Sequence, residues 1–104
     1  MFEDREKSFE KKYQHDEQLK FKVNARRNRL LGLWAAEKLG LKGADADAYA
    51  KTIVAADFSR PGHDDVIDKL MGDFKARAVA VAEHTVRHEA DRLLGVAKKQ
   101  VMSE

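Results

Sequence analysis

Only one proline, Pro61, interrupts this chain of 104 residues, and glycine occurs six times. Proline removes a backbone donor and clashes inside a helix, and glycine is the next most helix-averse residue. A chain so poor in both favours long helices joined at few places. The stretch KLGLKGADADAY (38–49) holds the first strong stop. Gly40 can take the left-handed conformation that ends a helix near Leu39. Asp45 or Asp47 is expected to cap the next helix by accepting from its open backbone N–H groups. The stretch DFSRPGHDDV (57–66) is the second break, with a turn at Pro61 and Gly62. Asp64 and Asp65 follow it, where they suit the positive end of a third helix.

Between the breaks the apolar residues recur with helical period. Ala46, Tyr49, Ala50, Ile53 and Val54 form one face of the second helix. Val66, Ile67, Leu70, Met71 and Phe74 form that of the third. Val86, Ala90, Leu93, Leu94, Ala97 and Val101 form that of the last. The run AVAVA (78–82) is too short and isolated for a sheet and reads as the joint between the third and fourth helices. It carries neither Gly, Pro nor an evident cap, so one continuous bent helix is the alternative. In the first helix, Leu30, Leu31, Leu33, Trp34, Ala35 and Leu39 make a broad apolar surface in the C-terminal half. Trp34, the lone tryptophan, belongs with this anchor. The N-terminal half offers Leu19, Phe21 and Val23 before the polar run NARRNR (24–29). These patterns predict an all-α protein, a four-helix bundle with a flexible or marginally helical N-terminal segment.

The leading stretch FEDREKSFEKKYQHDEQLKFK (2–22) is dense in both signs of charge. Phe2, Phe9 and Tyr13 are its large apolar residues before Leu19, and on a helix they fall on one narrow stripe with Lys12 and Asp16 near its edge. So thin a stripe does not hold a helix on its own domain, and an isolated helix of this length is marginal in water. Aromatic anchors with mixed charge suit a groove on a partner, the alternative being a frayed terminus without a role.

Composition narrows the function. Hydrophobic residues make 43% and charged residues 37%, with a net charge of +2, which fits a helical domain and gives no overall field for nucleic acid or membrane. Cysteine is absent, so there is no disulfide framework and no thiol nucleophile. The apolar runs fall short of the ~20 residues of a membrane span, and a signal-peptide core is missing, so the expected compartment is cytoplasmic. Lys20, Lys22, Arg26, Arg27 and Arg29 could meet phosphates, but no nucleic-acid recognition motif accompanies them. They read as a solvated helix face with ion pairs inside the helix, or as a contact for an acidic protein surface. His84 and His88 have metal-compatible spacing, yet the sequence HTVRH lacks the zincin glutamate and a third ligand, so two surface histidines is the better reading. His15 could titrate within the leading stretch, and His63 is isolated. Ser8, Ser59 and Ser103 have no nucleophile context, and GLKGAD lacks the spacing and ending of a P-loop. Catalysis is not expected.

The residues FEDREKSFEKKYQHDEQLKFKVNARRNRLLGLWAAEKLGL (2–41) closely resemble the start of the α-proteobacterial ATP synthase zeta subunit family. DAYAKTIVAADF, PGHDDVIDKL and AKKQVMSE resemble it as well, so the likeness spans the chain. Its most specific part is ARRNRLLGLWAAEKLGL (25–41), where basic residues run into the Leu/Trp anchor. The resemblance implies an inhibitor of ATP hydrolysis that binds the catalytic head of F-type ATP synthase, its alpha, beta and gamma subunits. It implies a division into an inhibitory segment, residues 1–19, which enters a catalytic interface and blocks hydrolytic rotation, and a four-helical core, residues 20–104, which helps to dock it. The implied partner-binding residues are Phe2, Glu3, Asp4, Arg5, Phe9, Lys12, Tyr13, Asp16, Arg26 and Arg27. It further implies peripheral association with the inner membrane through the synthase, without insertion. No cofactor is required by this reading, and weak adenine-nucleotide binding by the core is associated with the family. The region ARAVAVAEH (76–84) departs from the family pattern, which leads one to expect a clearer glycine or polar cap. A nucleotide-responsive regulatory module and a nucleic-acid adaptor are the competing readings.

Overall fold

A computed structural model describes the backbone at residues 2–56 and 64–104, with side chains from Glu17 to Ala56 and from Asp65 onward. Within it are four helices: α1 (Phe2–Lys38), α2 (Gly43–Ala56), α3 (Asp64–Ala76) and α4 (Glu83–Met102). There is no strand among the described residues, so the fold is all-α. Pro61, Gly62 and His63 lie outside the described residues, as does the turn expected there.

The core is built from the faces that the periodicity picks out. Leu31 and Ala35 of α1 join Ile53 of α2, Val66, Ile67, Leu70 and Phe74 of α3, and Val86, Ala90 and Leu93 of α4 in one buried cluster. Trp34 lies at its edge, partly buried, with its ring edge-on to Phe74 at 6.1 Å between centroids. The Lys38 ammonium sits 5.7 Å from the centre of the same indole, covering its outer side. Gly32 has a packing role that periodicity does not announce. A Cβ there would stand 2.7 Å from the Ala50 Cα, so the missing side chain lets α1 and α2 approach closely.

Polar contacts tie α2 to α3. The Tyr49 hydroxyl donates to Asp73 at 2.7 Å, and Lys69 reaches the same carboxylate at 3.0 Å. Burial pushes the Tyr49 phenol well above its ordinary pKa, and the hydrogen bond to Asp73 and that residue's negative charge push it further.

Two helix ends share one geometry with different residues. At the end of α1, Gly40 has φ +79°, Gly40 N–H donates to Glu37 and Leu41 N–H donates to Ala36. At the end of α3, Ala78 has φ 56°, Ala78 N–H donates to Lys75 and Val79 N–H donates to Phe74. Both are Schellman motifs, which close the last carbonyls and turn the chain sharply. The α3–α4 joint therefore falls where AVAVA suggests it, and the single bent helix is excluded. Val79 and Val81 then pack against the core through the connection to α4, which explains the alternation of that run. An alanine in the left-handed position hides the break from a reading that looks for glycine.

One expected cap is corrected. Helix α2 begins at Gly43, so Asp45 stands in its first turn and Asp47 deeper still. Asp45 thus acts on the helix dipole from within rather than as a cap.

Candidate partner-binding surface

Helix α1 has 37 residues, against 20 in α4, the next longest. At 1.5 Å per residue the first is about 55 Å long and the second about 30 Å. The whole molecule measures 62 × 25 × 21 Å, so its long dimension is set by α1. Its backbone is continuous across the expected boundary between residues 19 and 20.

A second, smaller cluster marks how far along α1 the packing described extends. Val23 is buried against Ala97 and Val101 of α4, with Leu19, Leu30 and Leu94 around it. Leu19 and Val23, four apart, share a face. Phe21 lies between them in sequence and turns outward, 58% exposed. Three odd-numbered neighbours cannot all face inward on a helix, and this separates apolar residues that composition alone groups together.

Sequence-expected contact residues divide into two sets. Phe2, Glu3, Asp4, Arg5, Phe9, Lys12, Tyr13 and Asp16 occupy helical backbone, and their side chains lie outside the described residues. So do Ser8 and His15. Helical register nonetheless relates them to the core. Positions 9, 13, 16, 20, 23 and 27 follow one stripe, so the aromatic stripe is in phase with the face that buries Val23 further along.

Arg26 and Arg27 are described in full, and they differ. Arg27 is 6% exposed, and both its Nε and Nη2 donate to the Asn28 amide oxygen, at 3.1 and 2.8 Å. Asn28 is itself buried. Arg26 donates to Gln100 at 3.0 Å and pairs with Glu104, fastening α1 to the end of α4. The expected solvated face with pairing inside the helix is therefore corrected at these two positions. One cation is buried, and the other makes its ion pair across to Glu104, just past the end of α4. Neither was visible in the sequence, because NARRNR carries no apolar residue except Ala25 to reveal an inward face.

The remaining cations of the run stay at the surface. Lys20, Lys22 and Arg29 are exposed, Lys20 beside an apolar groove and Lys22 and Arg29 beside a second. On α4, His84 and His88 are exposed in a shallow hollow with Glu83, Arg87 and Asp91. Among the described residues no group of three or more His, Asp or Glu is placed to hold a metal ion. Among the described residues, too, no helix is long and apolar enough to cross a membrane. Arg92 holds the Glu89 carboxyl below its usual range through a hydrogen bond at 2.9 Å from its Nε, a local surface pair on one helix.

Comparison with known proteins follows the same outline. The family model described as ATPase inhibitor subunit zeta matches residues 1–100. A structure solved by solution NMR is similar at 46% sequence identity and a TM-score of 0.73, covering 82% of this chain and 96% of its own. No curated protein matches the chain.

Proposed function

We propose how this chain, which belongs to the ATPase inhibitor subunit zeta family, restrains its enzyme. Membership gives it the role of an inhibitory, regulatory subunit associated with ATP synthase. In our reading, residues 1–19 enter a catalytic interface in the head of an F-type synthase and block rotation in the hydrolytic direction. Residues 20–104 hold that segment and keep it aligned. The contact falls on the alpha, beta and gamma subunits, and the chain meets the membrane only through the enzyme.

The observation that supports this reading is the length of α1. One helix runs from Phe2 into the core, where Leu31 and Ala35 fix it, and it is nearly twice as long as α4, the next longest of the described helices. A helix anchored at one end presents its other end to a partner. Burial of Phe2, Phe9 and Tyr13 in a partner groove supplies what a thin stripe cannot gain at home. Glu3, Asp4, Arg5, Lys12 and Asp16 then set register and orientation through charge. Arg26 and Arg27, taken up in the fold's own contacts, are weaker candidates for direct contact.

The test is the double variant Phe9→Ala/Tyr13→Ala, assayed for unfolding midpoint and for inhibition of ATP hydrolysis by the cognate synthase. Interface anchors each contribute about 2 kcal/mol or more, so inhibition should weaken by at least ~100-fold while the midpoint stays within a degree or two. Undiminished inhibition by the folded variant would remove the anchor assignment. A large fall in midpoint would instead place these residues inside the fold.

A further inference from the structure

Where α1 runs past the main core, its seam with α4 is left partly unfilled. Small side chains make the contact there, Val23 on Ala97 and Val101, and they do not close the space beside them. Leu19, Val23, Leu94 and Met102 line the resulting groove of about 700 Å³ together with Lys20 and Lys98. Leu94, Lys98 and Met102 follow one another at i+4 spacing, so they form one row about 12 Å long on α4. Val23 is buried, Leu19 and Leu94 are half-buried, and Met102 stands out at 71% exposure. Lys20 and Lys98 are exposed, and neither forms an ion pair among the described residues. Lysine lays an apolar four-carbon stem along such a wall and carries its ammonium to the edge. Glu17 is the carboxylate among the lining residues, which leaves the groove one net positive charge.

We propose that this groove binds a free long-chain carboxylate of the fatty-acid class, its tail laid on Leu19, Val23, Leu94 and Met102 and its head between Lys20 and Lys98. The size fits, since small-molecule sites run from about 300 to 1,000 Å³ and combine an apolar lining with a few polar groups. The charge selects the head. One net positive charge matches a monoanion, whereas a polyanion would meet too few cations and an apolar floor. A neutral lipid would leave both ammoniums without a partner. Arg26 cannot compete for the head, because Gln100 and Glu104 already hold it. Asn24 adds an amide donor to the lining, which a carboxylate can accept from. Met102, unbranched and polarizable, adapts to a flexible tail. A tail in this place touches both α1 and α4, so occupancy holds the two helices together where α1 leaves the bundle. The site belongs to the packed part of the chain and stands independently of how residues 1–19 act.

The probe is sodium dodecanoate, kept below its micelle threshold and titrated into the full-length chain by calorimetry and amide NMR. Saturable one-to-one binding is expected, with shifts concentrated at residues 17–24 and 94–102 and slower amide exchange across the same seam. Decanoate should bind ~10-fold more weakly, because each buried methylene is worth a factor of about four. Lys20→Gln/Lys98→Gln should weaken dodecanoate ~10-fold and leave dodecanol unchanged, since only the head meets the lysines. Met102→Gln should weaken acid and alcohol alike by ~3-fold. Both variants replace exposed side chains and should keep the native unfolding midpoint. No saturable binding, shifts centred elsewhere, or equal binding of dodecyltrimethylammonium overturns the site. Much tighter binding to Phe9→Ala/Tyr13→Ala than to the native chain would show the leading segment filling the groove, and would overturn it too. A native dimer, seen by sedimentation and dissolved by Met102→Gln, would assign the groove to a second copy and overturn the proposal.

Discussion

Between Leu31 and Leu39, α1 packs into a cluster that draws on all three other helices, whereas between Leu19 and Arg27 its buried apolar contacts, among the described residues, come from the end of α4. The first stretch is bound by aliphatic side chains, an aromatic pair and a close helix crossing at Gly32. The second has Val23 on Ala97 and Val101, a buried arginine–asparagine contact, and the Arg26–Glu104 pair. A single helix thus passes from a part that determines stability to a part that adds little to it. That gradient suits a subunit whose leading end belongs in another protein. An end tied strongly into its own bundle would have to be released before binding, and that cost would be subtracted from affinity.

The comparison breaks most directly at Leu31. It is fully buried in the main cluster, and Leu31→Ala should cost about 3 kcal/mol, within the range for buried leucines. For a domain of this size that lowers the midpoint by roughly 12–18 °C. A loss below ~1 kcal/mol would mean that the C-terminal half is not the anchor. Gly32→Ala comes next. The added methyl would meet the Ala50 backbone, so α1 and α2 must separate, at about 2 kcal/mol despite alanine's better helix propensity. A more stable Gly32→Ala protein would show that the crossing can relax freely. In the other half, Val23→Ala removes roughly two methylene equivalents from a small cluster and should cost about 1.5 kcal/mol. Its effect should be local, with amide exchange accelerating at residues 19–27 and 97–102 before the rest. Equal losses at Val23 and Leu31 would erase the gradient.

How much of this the sequence discloses depends on whether a signal is periodic or singular. The apolar faces of α2, α3 and α4 are periodic, and the buried residues Ile53, Leu70, Phe74, Val86 and Leu93 all lie on the expected stripes. Gly40 ends α1 as its residue type suggests. Ala78 performs the same task without the usual residue, so that joint was legible only through the interruption of helical period around Val79 and Val81. Gly32 reads as an ordinary helix glycine, because close approach depends on a partner distant in sequence. Trp34 was expected in the core and packs at its edge, where Phe74 covers one side and Lys38 the other. Arg27 and Asn28 were unreadable for a different reason. Their burial is fixed by the rotation of α1 that Leu31 and Val23 impose, and polar residues carry no pattern of their own to reveal it. The stripe of Phe2, Phe9 and Tyr13 reads in the sequence as a thin face, and its phase with Val23 comes from the fold.

The finest test concerns Arg26, where structural and binding roles compete for one side chain. Its guanidinium donates to Gln100 in the last turn of α4 and pairs with Glu104 just beyond that helix, both near solvent. Partly exposed pairs of this kind contribute about 0.5 kcal/mol, because water already solvates both charges and ordering two long side chains opposes the gain. Arg26→Gln retains a donor for Gln100 and removes the charge. It should lower the midpoint by only ~2–3 °C in dilute buffer. The difference from the native chain should shrink in ~1 M salt, where charges are screened beyond about 3 Å. If Arg26 serves mainly as this latch, Arg26→Gln should leave inhibition near native, with faster exchange confined to the junction of α1 and α4. If it also reaches the synthase, inhibition should fall well beyond what the stability change explains, and Glu104→Gln, which frees the guanidinium, should leave inhibition intact or strengthen it. A loss of inhibition in both variants would identify the latch itself as what aims α1. That outcome would join the two halves of the helix into one functional unit and end the division drawn between them.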